Sequence, residues 1–172
     1  MTHVDVLDSE RSAAYASRVF ALYDTVFADF ADEDAWREQM FDRHRARDGY
    51  RLVVALDDER LLGFAWGFRG ERGQYWPDLV ARTLPDVGAE WVGGHFEFVE
   101  LAVDPAARRQ GIGRRLHDAL LDGLTGRALL GTSADETDPA VRLYRSCGWR
   151  TLGLLDDQRQ VMGRDLRSAG RS

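Results

Sequence analysis

A loop rich in arginine and glycine is the part of this sequence whose residue types are best suited to bind an anion. The apolar run HFEFVELAV at 95–103 ends before Pro105, which has no N–H to donate to a β-ladder, and RRQGIG then leads into a helical pattern. Gly111 and Gly113 lack side chains, so a bound group can approach their amides closely. The first N–H groups of a helix have no internal partner and favour negative charge. Further positive charge comes from Arg108, Arg109, Arg114 and Arg115. The pattern predicts a phosphate or pyrophosphate site.

Two common nucleotide-binding motifs do not fit this loop. The dinucleotide fingerprint G-x-G-x-x-G requires a third glycine where this chain has Leu116, and it follows the first strand of its unit instead of lying past mid-chain. The P-loop requires a lysine, and every basic residue here is an arginine. The loop by itself leaves two interpretations open, an anion site and a tight turn with solvated arginines.

A second motif follows about thirty residues later, and the two together resemble the GNAT superfamily of N-acetyltransferases. The stretch L-x-V-D-P-x-x-R-R-Q-G-I-G is similar to the coenzyme motif of that family, Arg/Gln-x-x-Gly-x-Gly/Ala, which Arg108, Gly111 and Gly113 match. The stretch AVRLYRSCGW at 140–149 resembles the closing helix of the family. The resemblance covers about residues 50–165.

The resemblance implies acetyl-CoA as co-substrate, with no metal. Backbone amides of the loop would bind the pyrophosphate, and the strand before it would pair with the pantetheine arm. Thr137 stands where the family often has an asparagine. The candidate coenzyme-binding residues are Leu101, Ala102, Val103, Arg108, Arg109, Gln110, Gly111, Ile112, Gly113, Arg114 and Thr137.

The resemblance also assigns two catalytic groups. Tyr144 matches the tyrosine of the family whose hydroxyl protonates the leaving thiolate, and a neutral phenol can donate that proton. The alternative is a core tyrosine on the face of Ala140 and Val141. The amide of Leu101 is the candidate donor to the thioester carbonyl, which is an oxyanion-hole role.

Two glutamates compete for the role of general base, which must remove a proton from the amine. Strict alternation along the strand places Glu97 with Val99 and Leu101 on one face, and Glu100 with Phe98 on the other. Both glutamates resemble bases of family members, and the residues do not decide between them. His95, at the start of the same strand, is a further candidate as an auxiliary base.

Candidate acceptor-binding residues lie in the segment 69–94, since the acceptor pocket of the family is commonly built from variable segments. These residues are Tyr75, Trp76 and Trp91. Cys147 lies among apolar helix residues and is expected to be a buried structural thiol, not a nucleophile.

Hydrophobic periodicity predicts the elements that must position these residues. Strands are predicted at 2–8, 50–56, 61–67, 95–103, 128–134, 149–155 and 158–166. Helices are predicted at 12–29, after Asp32 to 47, at 111–124 and at 139–147. The segment 69–94 is predicted to be partly helical at best, and the arginine-rich end, 164–172, to be solvated.

This order of elements indicates an α/β fold with a mixed sheet. The resemblance implies a GNAT-like α+β fold, with a mostly antiparallel sheet flanked by helices. Its splayed parallel pair, 95–103 and 128–134, would bind coenzyme A. It further implies one N-acetyltransferase domain over 1–172, with a coenzyme-binding core at about 95–149 and an acceptor-site insertion at 69–94.

Composition narrows the partners and the compartment. The formal net charge of −6, from 29 acidic and 23 basic residues, disfavours nucleic-acid binding and favours a cationic acceptor. No apolar run is long enough for a membrane span, no signal peptide is recognisable, and the single cysteine suits the cytoplasm. A homodimer could form through the last two strands and the tryptophans.

The resulting prediction is an acetyl-CoA-dependent N-acetyltransferase. It would act on a primary amine of a small cationic molecule, by direct attack in a ternary complex. The alternatives are a non-catalytic acyl-CoA-binding sensor, acetylation of a protein amine, and transfer of a longer acyl group.

Overall fold

The computed structural model describes residues 1–166, which form seven strands and eight α-helices. The strands are β1 (Thr2–Leu7), β2 (Arg51–Asp57), β3 (Arg60–Gly70), β4 (His95–Val103), β5 (Gly126–Ser133), β6 (Arg150–Leu154) and β7 (Arg159–Leu166). The helices are α1 (Ser9–Ser12), α2 (Ala16–Val26), α3 (Glu33–Trp36), α4 (Asp42–Arg45), α5 (Tyr75–Thr83), α6 (Pro85–Trp91), α7 (Ile112–Leu121) and α8 (Pro139–Ser146). Short 3₁₀ turns lie at Ala13–Tyr15 and Pro105–Ala107, and a π-helical segment, Arg37–Phe41, joins α3 to α4. Within the described part of the chain, every helix is too short or too polar to cross a membrane.

The strands form one mixed sheet in the order β1-β2-β3-β4-β5-β7-β6. Four neighbouring pairs are antiparallel, namely β1 with β2, β2 with β3, β5 with β7 and β7 with β6. Strands β4 and β5 are parallel, with register partners Phe96↔Ala128 and Glu97↔Leu129. The paired register covers two residues in each strand, although β4 has nine residues and β5 has eight. The mixed, mostly antiparallel sheet predicted from the sequence is confirmed.

Most predicted elements are confirmed with small shifts at their ends. The predicted strand at 95–103 coincides with β4, and the predicted hairpin is the antiparallel pair of β2 and β3. The first predicted helix is broken into shorter pieces and ends at Val26. Of the predicted solvated end, residues 164–166 belong to β7, and the remainder lies outside the described residues.

The segment 69–94 is more ordered than predicted, because it contains α5 and α6. Apolar residues recur along it at helical spacing and pack into one cluster, and Pro85 separates the helices by occupying the first turn of α6. The glycines and prolines of the segment interrupt this helical spacing, which is why the sequence alone predicted less helix here. The apolar residues are Trp76, Val80, Leu84, Val87 and Trp91.

The chain divides into two compact units, each with its own hydrophobic core. The first unit consists of Met1–Phe68 and Val99–Asp122, and the second of Arg69–Phe98 and the chain from Gly123 onward. The core of the first unit is built around Trp36, Phe41, Phe64 and Trp66. The core of the second unit is built around Val80, Trp91, Val92, Leu129 and Val161.

Candidate active site

The glycine loop of the first unit starts from a well-anchored aspartate. The backbone N–H of Asp104 donates to the carbonyl of Leu62 on β3 over 2.7 Å, and the Asp104 carboxylate accepts from the N–H of Ala106 over 2.9 Å. Arg60 donates to the other carboxylate oxygen over 3.1 Å. The Ala106 N–H and the Arg60 guanidinium hold the pKa of Asp104 below its usual value. The loop therefore leaves β4 at a fixed point.

The backbone of the loop exposes the first amides of α7. Gly111 precedes the helix with φ of 75°, a left-handed conformation that suits glycine, and a Cβ at this position would meet no atom within 4 Å. Since the N-cap residue is a glycine, the N-cap position offers no side-chain hydrogen bond to the first turn of α7. Arg109, also left-handed at φ of 65°, lies two residues earlier. The first N–H groups of α7 are consequently available to an anion.

All four arginines expected around the loop are exposed, namely Arg108, Arg109, Arg114 and Arg115. The Arg115 guanidinium also donates to the carbonyl of Thr2 over 3.1 Å and thereby links α7 to β1. Exposed guanidinium groups and an open left-handed glycine at the start of a helix fit a pyrophosphate.

Strand β4 carries the residues proposed to contact the thioester. Leu101 and Val103 are partly buried, and Ala102 is buried in the core of the first unit. Val99 and Ala102, three positions apart, both pack against that core. The assignment of side chains to the two faces of β4 therefore stays a prediction.

Glu100 lies near the carboxylate of Asp29 and the phenol of Tyr23 in the first unit. Burial, followed by the charge of Asp29, raises the pKa of Glu100 to about 8. Tyr23 donates to the Asp29 carboxylate over 3.2 Å, and burial together with both carboxylates raises the pKa of Tyr23. The first unit therefore holds a partly buried carboxyl group, Glu100, that keeps its proton near neutral pH, with the exposed carboxylate of Asp29 near it.

In the second unit, Tyr144 lies on α8 against aromatic neighbours. Asp138 caps this helix by accepting from the N–H of Ala140 over 2.8 Å. Tyr144 is 7% exposed, and its ring meets the rings of Phe98 and Trp149 edge-on at centroid distances of 5.7 and 6.2 Å. The ring of Tyr144 is therefore held beside Phe98 of β4.

Glu97 is buried at the start of β4 in contact with His95. The imidazole Nε2 lies 3.4 Å from Glu97 Oε1, and the imidazole Nδ1 accepts from the N–H of Gly93 over 3.1 Å. Gly70 of β3 lies against both side chains. The sequence pointed to both residues but gave no sign of their contact. A glycine in an apolar strand pattern, a common mark of close approach, was the available signal.

The remaining candidates differ in exposure. Tyr75 is 79% exposed, whereas Trp91 is 5% exposed, in the core of the second unit. Trp76 packs against the same core and against Gly131 of β5. Thr137 is exposed, and its hydroxyl donates to Asp135 over 2.7 Å. Cys147 is buried, as predicted.

Comparison with known proteins gives a consistent result. Residues 16–149 match the Acetyltransferase (GNAT) family. The N-alpha-acetyltransferase RimI of Mycobacterium tuberculosis is 31% identical over 136 residues, which cover 79% of this chain and 75% of that protein.

Solved structures share the fold at low identity. The aminoglycoside 6'-acetyltransferase type Ii superimposes with a TM-score of 0.67 at 17% identity, covering 98% of this chain and 99% of that one. The yncA protein of Salmonella typhimurium, solved with its cofactor acetyl-CoA, superimposes with a TM-score of 0.63 at 17% identity, covering 100% and 98%.

Proposed function

This chain belongs to the acetyltransferase (GNAT) family, and from that premise we propose that it acetylates a primary amine of a small cationic molecule. It is an acyltransferase with acetyl-CoA as its co-substrate. The proposal treats residues 1–172 as one catalytic domain that carries out direct transfer in a ternary complex.

Acetyl-CoA supplies an acetyl group activated as a thioester. The amides from Arg108 to Arg114 and the start of α7 would hold its pyrophosphate, and the backbone of Leu101 to Val103 its pantetheine arm. The Leu101 N–H would donate to the carbonyl oxygen as negative charge develops there. The Tyr144 hydroxyl would donate its proton to the departing sulfur. A contact from Thr137 to the coenzyme is part of the proposal.

Glu97 is the proposed general base, which takes the proton from the acceptor nitrogen directly or through water. Two observations support Glu97 over Glu100. Glu97 is held by a neighbouring N–H group on its own strand. Glu100, whose pKa burial raises to about 8, keeps its proton through most of the neutral range and is a poorer acceptor there.

The single observation that supports a cationic acceptor is the partly buried carboxyl group of Glu100 near the carboxylate of Asp29. Burial and the charge of Asp29 disfavour a negative charge on Glu100, and a cationic ligand would offset both effects. The net charge of −6 would attract such a ligand over longer distances. A polyamine, an aminoglycoside or an amino-acid amine has this chemistry, and Tyr75, Trp76 or Trp91 could contribute apolar contacts.

A protein N-terminal amine is the second candidate acceptor. It is favoured by the name of the Mycobacterium tuberculosis relative, an N-alpha-acetyltransferase, at 31% identity over most of both chains.

A panel of amines with acetyl-CoA distinguishes these acceptors by the rate of thiol release. The panel contains spermidine, kanamycin, lysine amide, a neutral primary amine and a peptide with a free N-terminal alanine. We expect the highest kcat/KM with a small cationic amine, and a loss in Asp29→Asn that is larger for cationic than for neutral amines. A preference for the peptide would replace the first candidate with the second. Acetyl-CoA that raises the melting temperature without thiol release from any amine would indicate a sensor.

A further inference from the structure

Strand β4 begins with a buried imidazole–carboxylate pair, His95 and Glu97. Of these two residues, only Glu97 has a role in the proposed reaction. His95 is 2% exposed and Glu97 is 8% exposed. The distance from His95 Nε2 to Glu97 Oε1 is 3.4 Å, a long hydrogen bond. Within the described part of the chain, this imidazole is the hydrogen-bonding partner of the Glu97 carboxylate.

The backbone fixes which imidazole nitrogen carries the proton. The N–H of Gly93 donates to Nδ1 over 3.1 Å, and only an unprotonated nitrogen accepts such a bond. A neutral imidazole carries one proton, so that proton is on Nε2. The group that faces the Glu97 carboxylate is therefore an N–H donor.

Gly70 on the adjacent strand makes room for this contact. A Cβ at position 70 would lie 2.2 Å from His95 Nε2 and 3.0 Å from Glu97 Oε1. The carbonyl of Gly70 also accepts from the N–H of Gly94 over 2.9 Å, which holds the two strands together at this point. Any larger residue would push the imidazole away from the carboxylate.

We propose that His95 is a positioning residue that orients Glu97 through its Nε2–H, in the space left by Gly70. The inference rests on the proposed function, in which Glu97 takes the proton of the acceptor amine. His95 does not serve as a base itself, because Nε2 already carries a proton and Nδ1 is occupied by the Gly93 N–H.

Two described neighbours of Glu97 on the adjacent strands are uncharged. They are Leu129, its register partner on β5, and Gly70, which lies against it from β3. On its own strand, the titratable neighbour in contact with it is His95. A change in the pH dependence of the reaction upon substitution of His95 is thus attributable to the contact with Glu97.

Two substitutions of His95 distinguish the roles of the two imidazole nitrogens. The amide of His95→Gln reaches about as far as Nε2 and keeps a donor for Glu97. The amide of His95→Asn reaches only about as far as Nδ1, so it keeps an acceptor for the Gly93 N–H and loses the donor. We expect His95→Gln to retain most of the wild-type kcat and His95→Asn to lose up to about 100-fold, the cost of a misplaced catalytic group. The KM for acetyl-CoA should not change in either variant.

The pH dependence of kcat/KM distinguishes a positioning role of His95 from a purely structural one. In His95→Asn, the acidic limb of kcat/KM should move to higher pH, because the ionised carboxylate has lost its N–H donor. A variant that is only less well folded would lose rate without that displacement. Equal rates and equal pH profiles in His95→Asn and His95→Gln would overturn the inference.

Glu97→Gln distinguishes failure of the inference from failure of the proposed function. If Glu97→Gln is inactive while His95→Asn has wild-type activity, only the positioning role is wrong. If Glu97→Gln keeps the wild-type rate, the assignment of the base is wrong, and the role of His95 with it. If the wild-type protein releases no thiol with any amine, the proposed function has failed.

The imidazole tautomer can be measured without activity. Nitrogen-15 NMR of the wild-type protein, with the His95 signals assigned by backbone-to-side-chain correlations, should show a neutral ring protonated on Nε2. A ring protonated on Nδ1, or on both nitrogens at neutral pH, would overturn the inference even if both variants failed to fold.

Discussion

At the scale of single residues, Tyr144→Phe provides a sharp test because it removes the hydroxyl and keeps the ring. The ring meets Phe98 and Trp149, contacts that Tyr144→Phe retains. Removing a general acid costs about 100-fold or more in rate. We therefore expect Tyr144→Phe to lose about 100-fold in thiol release while binding acetyl-CoA normally. Tyr15→Phe, which likewise removes only a phenol hydroxyl and keeps the ring that contacts Arg18, is the matched control and should keep the wild-type rate. Equal rates in the two variants would exclude Tyr144 as the acid.

Glu100 makes stability depend on pH in the opposite direction to a salt-bridged carboxylate. Its pKa rises from 4.5 to about 8 on folding, so between these values the folded state holds the proton more tightly. The free energy of unfolding therefore falls as the pH rises through this window and levels off above it. Urea unfolding at several pH values should show this slope reduced in Glu100→Gln and unchanged in Glu38→Gln, an exposed control. The same slope in both variants would be inconsistent with a raised pKa.

The sequence identified individual catalytic candidates better than their contacts. Spacing and resemblance were enough to name Tyr144, Glu97 and Glu100. Two neighbours of the glutamates were not predictable, namely Gly70 beside Glu97 and Asp29 near Glu100, because they are distant in sequence and reach the glutamates only through tertiary folding.

At the scale of elements, the cap of α8 controls the placement of Tyr144. The Asp138 carboxylate accepts from the N–H of Ala140, and loss of such a cap costs about 1 kcal/mol. We expect Asp138→Ala to lower the free energy of unfolding by about that amount in urea titrations. Asp157→Ala, at an exposed turn residue, serves as the control and should have no effect. A loss of equal size in both variants would show that the cap contributes nothing.

Gly111 tests the loop that precedes α7. Its φ of 75° disfavours other residues, and the space around a Cβ is empty, so Gly111→Ala would act through the backbone and not through a clash. We expect about 1 kcal/mol of strain and a smaller rise in melting temperature on adding acetyl-CoA. An unchanged rise in melting temperature would show that this loop does not hold the coenzyme.

Element prediction succeeded where the period was uninterrupted and failed where glycine and proline obscured it. Strand β4 was predicted to the residue because its mostly apolar run ends clearly, at Asp104 and Pro105. Helices α5 and α6 were underestimated, although Trp76, Val80 and Leu84 recur at helical spacing. Their helical state depends on packing against Leu129 and Val161, which the local sequence does not reveal.

At the scale of the whole molecule, charge should influence which acceptor is used. A chain of net charge −6 attracts cations, and salt screens that attraction. We expect the KM of a cationic acceptor to rise with ionic strength, with the KM of a neutral amine as the internal control. Parallel changes for both amines would indicate a general salt effect and no electrostatic selection.

The central claim is that an acetyl group passes from acetyl-CoA to an amine on this protein, and product stoichiometry tests it most directly. Free thiol and acetylated amine should be quantified together in one reaction with a reactive acceptor. The account predicts one thiol released for each acetylated amine, with a rate that depends on Tyr144. Coenzyme binding without either product, across the whole amine panel, would contradict it.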